Sequence, residues 1–259
     1  MKKLALVTGA STGIGFELAS IAAEEGYDLL VAADEKLINA AAADFRQHGV
    51  DVFPVEADLS SKAGVDLVLN QLNGRQIDVL CANAGTGTGG VFLEQEFDYW
   101  AHAIGTNITG TVYMLQEVLK QMVARRSGKV LVTGSIAGYI PGSFNAVYNA
   151  SKAFIDNFTD ALRNELKDVD GVTVTTLMPG ATDTEFFARA DMLDTMVGQD
   201  EDKDDPAKVA RDGWHAMMKG EDRIISGWKN KLQVAASGVV PVGILAERHR
   251  KMAEPGSGE

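Results

Sequence analysis

From Leu4 onward, short apolar runs alternate with longer stretches of helical periodicity along most of the chain. The candidate strands are Leu4–Thr8, Asp28–Ala33, Asp51–Glu56, Ile77–Ala82, Lys129–Gly134 and Val172–Met178, with a weaker seventh at Arg223–Ser226. Helical patterns cover Ile14–Glu25, Lys36–Gln47, Lys62–Asn73, Phe97–Ala124 and Ala146–Lys167, and Gly26, Gly49 and Gly74 stand at C-cap positions. Most of the strands are nearly continuous apolar runs, as suits strands covered on both faces. Repeated βα units of this kind imply an α/β fold, a doubly wound parallel sheet of about seven strands with right-handed crossovers. No Pro/Ser-rich linker or internal repeat divides the 259 residues, so residues 1–259 read as a single domain.

Charge and cysteine usage narrow the function. Acidic residues outnumber basic ones 36 to 24, a formal charge of −12, which is the wrong balance for a nucleic-acid binder and ill suited to an anionic membrane. The one cysteine, Cys81, lies inside the fourth strand and reads as core; it makes no internal disulfide and rules out a zinc-finger site. No metal is expected. The apolar start Leu4-Ala5-Leu6-Val7 breaks at Thr8-Gly9, too soon for a signal-peptide core or a bilayer span, and a cytoplasmic location follows as the expectation. The acidic run Asp200–Asp205 reads as a solvated loop feeding a helix, with Asp205 as N-cap and Pro206 at the first helical position. The tail, residues 254–259, is expected to be disordered.

Directly after the first strand comes Thr8-Gly9-Ala10-Ser11-Thr12-Gly13-Ile14-Gly15, opening a helix. Glycines there let the backbone approach a pyrophosphate, whose charge meets the free N–H groups of the helix N-terminus. Asp34 closes the second strand, at the distance where a carboxylate grips the ribose hydroxyls of NAD and repels the extra phosphate of NADP; it could equally cap the next helix. Asp58, ending the third strand, could accept from an adenine amino group or cap a helix in the same way. Tyr148 and Lys152 lie four residues apart on one helical face, where an ammonium lowers a phenol's pKa and makes it a usable acid/base. Ser135 ends the fifth strand at the sheet edge where ligands of such folds bind, as a holder of a substrate oxygen or as a turn serine.

Together these residues resemble the classical short-chain dehydrogenases/reductases over roughly residues 1–226. The glycine segment matches that family's own cofactor motif, and Cys81-Ala82-Asn83-Ala84-Gly85 is similar to its Asn-Asn-Ala-Gly motif, with Ala82 in place of the first Asn. Asn107, Ser135, Tyr148 and Lys152 fall on its catalytic tetrad, and Pro179-Gly180 with Thr182 and Thr184 on the loop that receives the nicotinamide amide. The resemblance implies a Rossmann-type domain that passes hydride between a nicotinamide and a carbonyl or secondary alcohol. Tyr148 would exchange the proton, Ser135 hold the substrate oxygen, Lys152 hold the ribose hydroxyls, and Asn107 place a water through its backbone. Gly9, Ser11, Thr12, Gly13, Ile14, Gly15, Asp34, Asp58, Leu59, Asn83, Ala84 and Gly85 would complete the cofactor site. Thr12 and Ala33-Asp34 occupy places where NADP-preferring members carry basic residues, so NAD is favoured and NADP, with Lys36 nearby, is the alternative. A nucleotide-binding regulator with little turnover is the competing function.

The lid, residues 183–205, carries Phe186, Phe187, Met192, Leu193 and Met196, which suggests an apolar pocket; Arg189 reads as a surface ion pair. Thr86-Gly87-Thr88-Gly89-Gly90 reads as a flexible run. The segment 227–253 departs from the family pattern and is expected to pack on the domain or on a second subunit rather than on a membrane. Apolar stripes on the helices at 107–124 (Val112, Leu115, Leu119, Met122) and 146–167 (Phe154, Phe158, Ala161, Leu162) point to a homodimer or homotetramer. The four histidines show no ligand spacing.

Overall fold

The computed structural model describes residues 2–258. In chain order it contains β1 (Leu4–Thr8), α1 (Gly13–Glu24), β2 (Asp28–Ala33), α2 (Leu37–Arg46), β3 (Val52–Glu56), α3 (Lys62–Asn70), β4 (Val79–Ala82), α4 (Phe97–Ile104) and α5 (Thr111–Ala124). There follow β5 (Gly128–Thr133), α6 (Ala146–Glu165), β6 (Val172–Met178), α7 (Phe186–Arg189), α8 (Met196–Gln199), α9 (Pro206–Lys219), β7 (Arg223–Ile225), α10 (Trp228–Ser237) and α11 (Val242–Ala253). All seven strands pair in parallel in the order β3-β2-β1-β4-β5-β6-β7. The order reverses between β1 and β4, and this crevice at the carboxyl ends is where such sheets bind ligands.

Alternation along the strands feeds two cores. Ala5 and Val7 of β1 face one layer with Leu18, Ile38, Phe45 and Trp214; Leu4 and Leu6 face the other with Val65, Leu115, Met122 and Ile155. Cys81 is fully buried in the first, and burial pushes its thiol up to about 12. Trp214 is wholly buried yet satisfied, its indole N–H donating to Glu25 at 2.9 Å.

Three expectations differ from the structure. The helix read over 97–124 is interrupted by a π-helical segment, Gly105–Gly110. A β carbon on Gly110 would lie 1.8 Å from the Leu59 carbonyl, and one on Gly105 2.8 Å from Ser60, so the loop after β3 presses the helix there into a wider turn. The tail through Gly258 is tied down: Gly256 and Gly258 donate N–H bonds to Asp194 at 2.8 and 3.0 Å, and Ser257 accepts from the N–H of Met196 at 3.0 Å. Exposed polar backbone at the lid end offered the tail partners that composition does not register; Glu259 lies outside the described residues. Of the apolar stripes, Leu115, Leu119 and Met122 are buried in the subunit's own core, while Phe154 stays 45% exposed, stacked on Phe158. Segment 227–253 forms α10 and α11; the latter is anchored where Ser143 donates to Ala246 O and His249 meets Ser143 O at 2.9 Å. Among the described residues no helix is long and apolar enough to cross a membrane.

Candidate active site

The candidate residues gather along the carboxyl edge of the sheet, each at the end of its strand. Gly9 and Gly13 adopt φ of 65° and 58°, and a β carbon on Gly15 would lie 2.0 Å from the Gly9 carbonyl, so the loop after β1 can close only with glycine there. Thr12, the N-cap of α1, makes no side-chain capping bond, which leaves the first N–H groups of a twelve-residue helix free to meet an anion. These features fit a dinucleotide pyrophosphate. Asn83 fastens this loop to the rest of the edge. Its Nδ2 donates to the carbonyls of Thr8 (3.2 Å) and Gly9 (3.4 Å), its Oδ1 accepts from Thr133 Oγ1 at 3.0 Å, and Thr8 Oγ1 accepts from the N–H groups of Asn83 and Ala84. Asn83 therefore serves the cleft as scaffold, its amide already committed.

At the ribose end the acid nearest the loop is Glu35. It accepts from Ser11 Oγ at 2.5 Å and pairs with Arg189 of α7, while the Asp34 side chain is exposed. Burial works upward on Glu35, but the bonds from Ser11 and Arg189 prevail and hold it below its ordinary value. Spacing from the glycine loop points to the first acid of the tandem Asp34-Glu35; the lid residue that pairs with the second, Arg189, is distant in sequence. Asp58 is exposed, accepting from the N–H of Ser60 at 2.9 Å, and Leu59 is buried in the core beneath it.

The four chemical residues converge. Lys152, 5% exposed, donates from Nζ to the Thr133 carbonyl at 2.8 Å and lies 5.8 Å from the centre of the Tyr148 ring. Asn107, 1% exposed on the π segment, uses both amide hydrogens, to Thr86 O and Ser151 Oγ (2.9 Å each), and accepts from Thr86 N at 2.8 Å. Its side chain thus holds the strand β4 exit against α6. Ser135 caps the turn Ile136–Tyr139, its Oγ accepting from Ala137 N at 3.1 Å, and also stands beside the Tyr148 hydroxyl. The turn-serine reading is borne out by that cap.

The electrostatics correct one expectation. Burial pushes the Tyr148 phenol up to about 12, with Ser135 working downward and Asp156 upward. Burial also pulls the Lys152 ammonium down, against the pull of Asp156.

The lid closes over this edge. Thr182 pairs with Asp204, Thr184 lies against Gly13 (2.8 Å from a β carbon placed there), and the Phe186 ring packs 4.9 Å from that of Tyr148. Phe187 and Met192 fill the lid's own core, whereas Leu193 and Met196 are more than half exposed and face solvent. Gly87 and Gly89 are not flexible filler: β carbons there would meet Phe186 at 2.6 Å and the Ala190 carbonyl at 2.4 Å. Pro179 accepts from Ile136 N at 3.1 Å, and Gly180 is covered by Asn230 of α10, which donates to Asp204 Oδ2 and Ser226 O at 2.7 Å. Asn230 lies beyond the motifs, so no sequence signal marked it.

The family model described as short chain dehydrogenase matches residues 3–192. The 3-oxoacyl-[acyl-carrier-protein] reductase of Staphylococcus aureus is 33% identical over 202 residues, 76% of this chain and 78% of that protein. A short-chain dehydrogenase from Sphingobium yanoikuyae, solved in complex with NADPH, superposes with a TM-score of 0.81 at 28% identity, over 92% of this chain and 94% of that one. One from Burkholderia phymatum in complex with NAD shares the fold at 22% identity and TM-score 0.81, over 90% and 92% of the two chains.

Proposed function

The chain belongs to the short-chain dehydrogenase family, and from that membership we propose that it is an NAD(P)-dependent alcohol dehydrogenase or carbonyl reductase acting through Asn107, Ser135, Tyr148 and Lys152. When bound, the nicotinamide supplies or accepts the hydride. The glycine loop and the open N-terminus of α1 would hold its pyrophosphate, and Lys152 its nicotinamide ribose; Thr182, Thr184, Pro179 and Gly180 would flank the amide. Tyr148 gives or takes the proton at the substrate oxygen, and Ser135 donates a hydrogen bond to that oxygen. The observation that carries this reading is the convergence of Tyr148, Lys152 and Ser135 with the glycine loop on one crevice.

NAD is favoured, a reading supported by the acids Asp34 and Glu35 that follow β2, the second bonded to Ser11 of the glycine loop, and by Thr12, which supplies no positive charge. Phe186 against Tyr148 supports a largely apolar carbonyl or secondary alcohol as substrate. We read the protein as cytoplasmic and homo-oligomeric: Phe154 on α6 and Phe97 on α4, which packs against α6, are 45% and 65% exposed. The test is a panel of alcohols and carbonyls followed at the NADH absorbance with either cofactor. Tyr148→Phe should abolish turnover and leave cofactor binding nearly intact; turnover within about tenfold of wild type would reject the tetrad. A regulator with little turnover would bind cofactor and reduce nothing on the panel.

A further inference from the structure

The stripe of α6 that holds Tyr148 and Lys152 carries a third ionisable residue one turn further on. Asp156 is 8% exposed, and neither of its oxygens accepts a hydrogen bond of ordinary geometry from the described residues; the Ser135 backbone N–H approaches the carboxylate and favours its charged form. Its carboxylate fills a slot at the end of β5. A β carbon on Gly134 would lie 1.9 Å from Oδ1, and one on Gly138 2.5 Å from Oδ2, so both positions need glycine to leave it room. A buried carboxylate so poorly supplied with donors is costly, and an apolar side chain of the same volume would pack the helix down better. What the slot does offer is a negative charge one helical turn from a buried ammonium.

We propose that Asp156 is a positioning residue whose carboxylate holds the buried Lys152 in its ammonium form, the form in which Lys152 can serve Tyr148 and a ribose. The proposal rests on the role given to Lys152 above. The ionisable groups around Asp156 are Tyr148, Lys152 and Asp160 on its own helix and Arg223 on β7; the segment after β5 contributes Gly134, Ser135 and Gly138, and β6 contributes Thr176, none of them charged. Burial drives Asp156 up and Lys152 down, and each opposes the other's neutralisation, with Arg223 aiding Asp156 and Asp160 working against it. Removing the carboxylate's charge leaves burial alone acting on Lys152, whose pKa must then fall.

Asp156→Asn keeps the shape and removes the charge. The titration of Lys152, followed by 13Cε resonances in the cofactor-free protein and assigned with Lys152→Met, needs no substrate. In Asp156→Asn its midpoint should fall by at least about one pH unit, a tenfold change, while the thermal midpoint holds or rises. An unmoved Lys152 midpoint in a folded variant overturns the proposal. Should the variant not fold, infrared spectra of wild type labelled at aspartate decide: an ionised Asp156 wherever Lys152 is an ammonium supports the pair, and a neutral carboxyl there overturns it. The alkaline limb of kcat/KM should follow the Lys152 midpoint. A shifted midpoint with an unmoved limb would keep the role of Asp156 and remove Lys152 from the catalytic set.

Discussion

Asn107→Ala tests whether the π segment is a structural clamp as well as part of the site. The side chain makes three hydrogen bonds of 2.8 to 2.9 Å while only 1% exposed: it accepts from Thr86 N and donates to Thr86 O and Ser151 Oγ. Each is worth about 1 kcal/mol net, and a buried group left without a partner costs about 1–3 kcal/mol. Ser151 Oγ keeps a partner, because it also donates to Tyr148 O at 2.7 Å, and Thr86 is only partly buried, so water can reach one of its groups. The expected loss is therefore about 3 kcal/mol, rising toward about 5 if Thr86 stays dry. Against a total of about 5–15 kcal/mol the variant still folds. Urea unfolding followed by tryptophan fluorescence measures the difference, with an unchanged m-value as the two-state check. The same bonds hold Thr86 next to Gly85, where a β carbon would lie 3.4 Å from Lys152 Nζ, so cofactor affinity should fall at least about tenfold in parallel. A loss below about 1 kcal/mol with cofactor affinity intact would refute the clamp and the placement of Gly85 in the cofactor site.

Asp34→Ala and Glu35→Ala should each weaken NAD and relieve discrimination against NADP, the second by more because it also frees Arg189 to meet a 2′-phosphate; a wild-type preference for NADP in kcat/KM would show the acidic pair misread. Phe186→Ala should raise KM for bulky apolar substrates at least about tenfold and spare small ones, whereas a uniform effect across sizes would mean that Phe186 serves the lid and never meets substrate. Light scattering at micromolar concentration should give at least twice 27.6 kDa, and a fully active monomer would defeat the oligomer.

The α/β architecture was legible because strand periodicity and the Gly9-to-Gly15 loop are short-range signals, decided within a few residues of chain by sterics and burial. Six of the seven strands lie within one residue at each end of their expected ranges, and only β4 is clearly shorter, 79–82 against 77–82. Tyr148 and Lys152 were likewise readable from helical spacing, whereas Asp156, one turn further on, stands out only once the fold shows it buried in a slot with no well-formed hydrogen bond. Tertiary structure decided the rest. The π segment exists because Leu59 and Ser60 press on a helix some fifty residues later; Glu35 rather than Asp34 meets the glycine loop because Arg189, 154 residues away, reaches it; and the tail is ordered because Asp194 accepts its N–H groups. Local chain geometry determines which elements form. Which carboxylate is neutralised, which phenol is desolvated and which turn is strained depend on neighbours that sequence distance hides, because Coulomb energy and burial act through space.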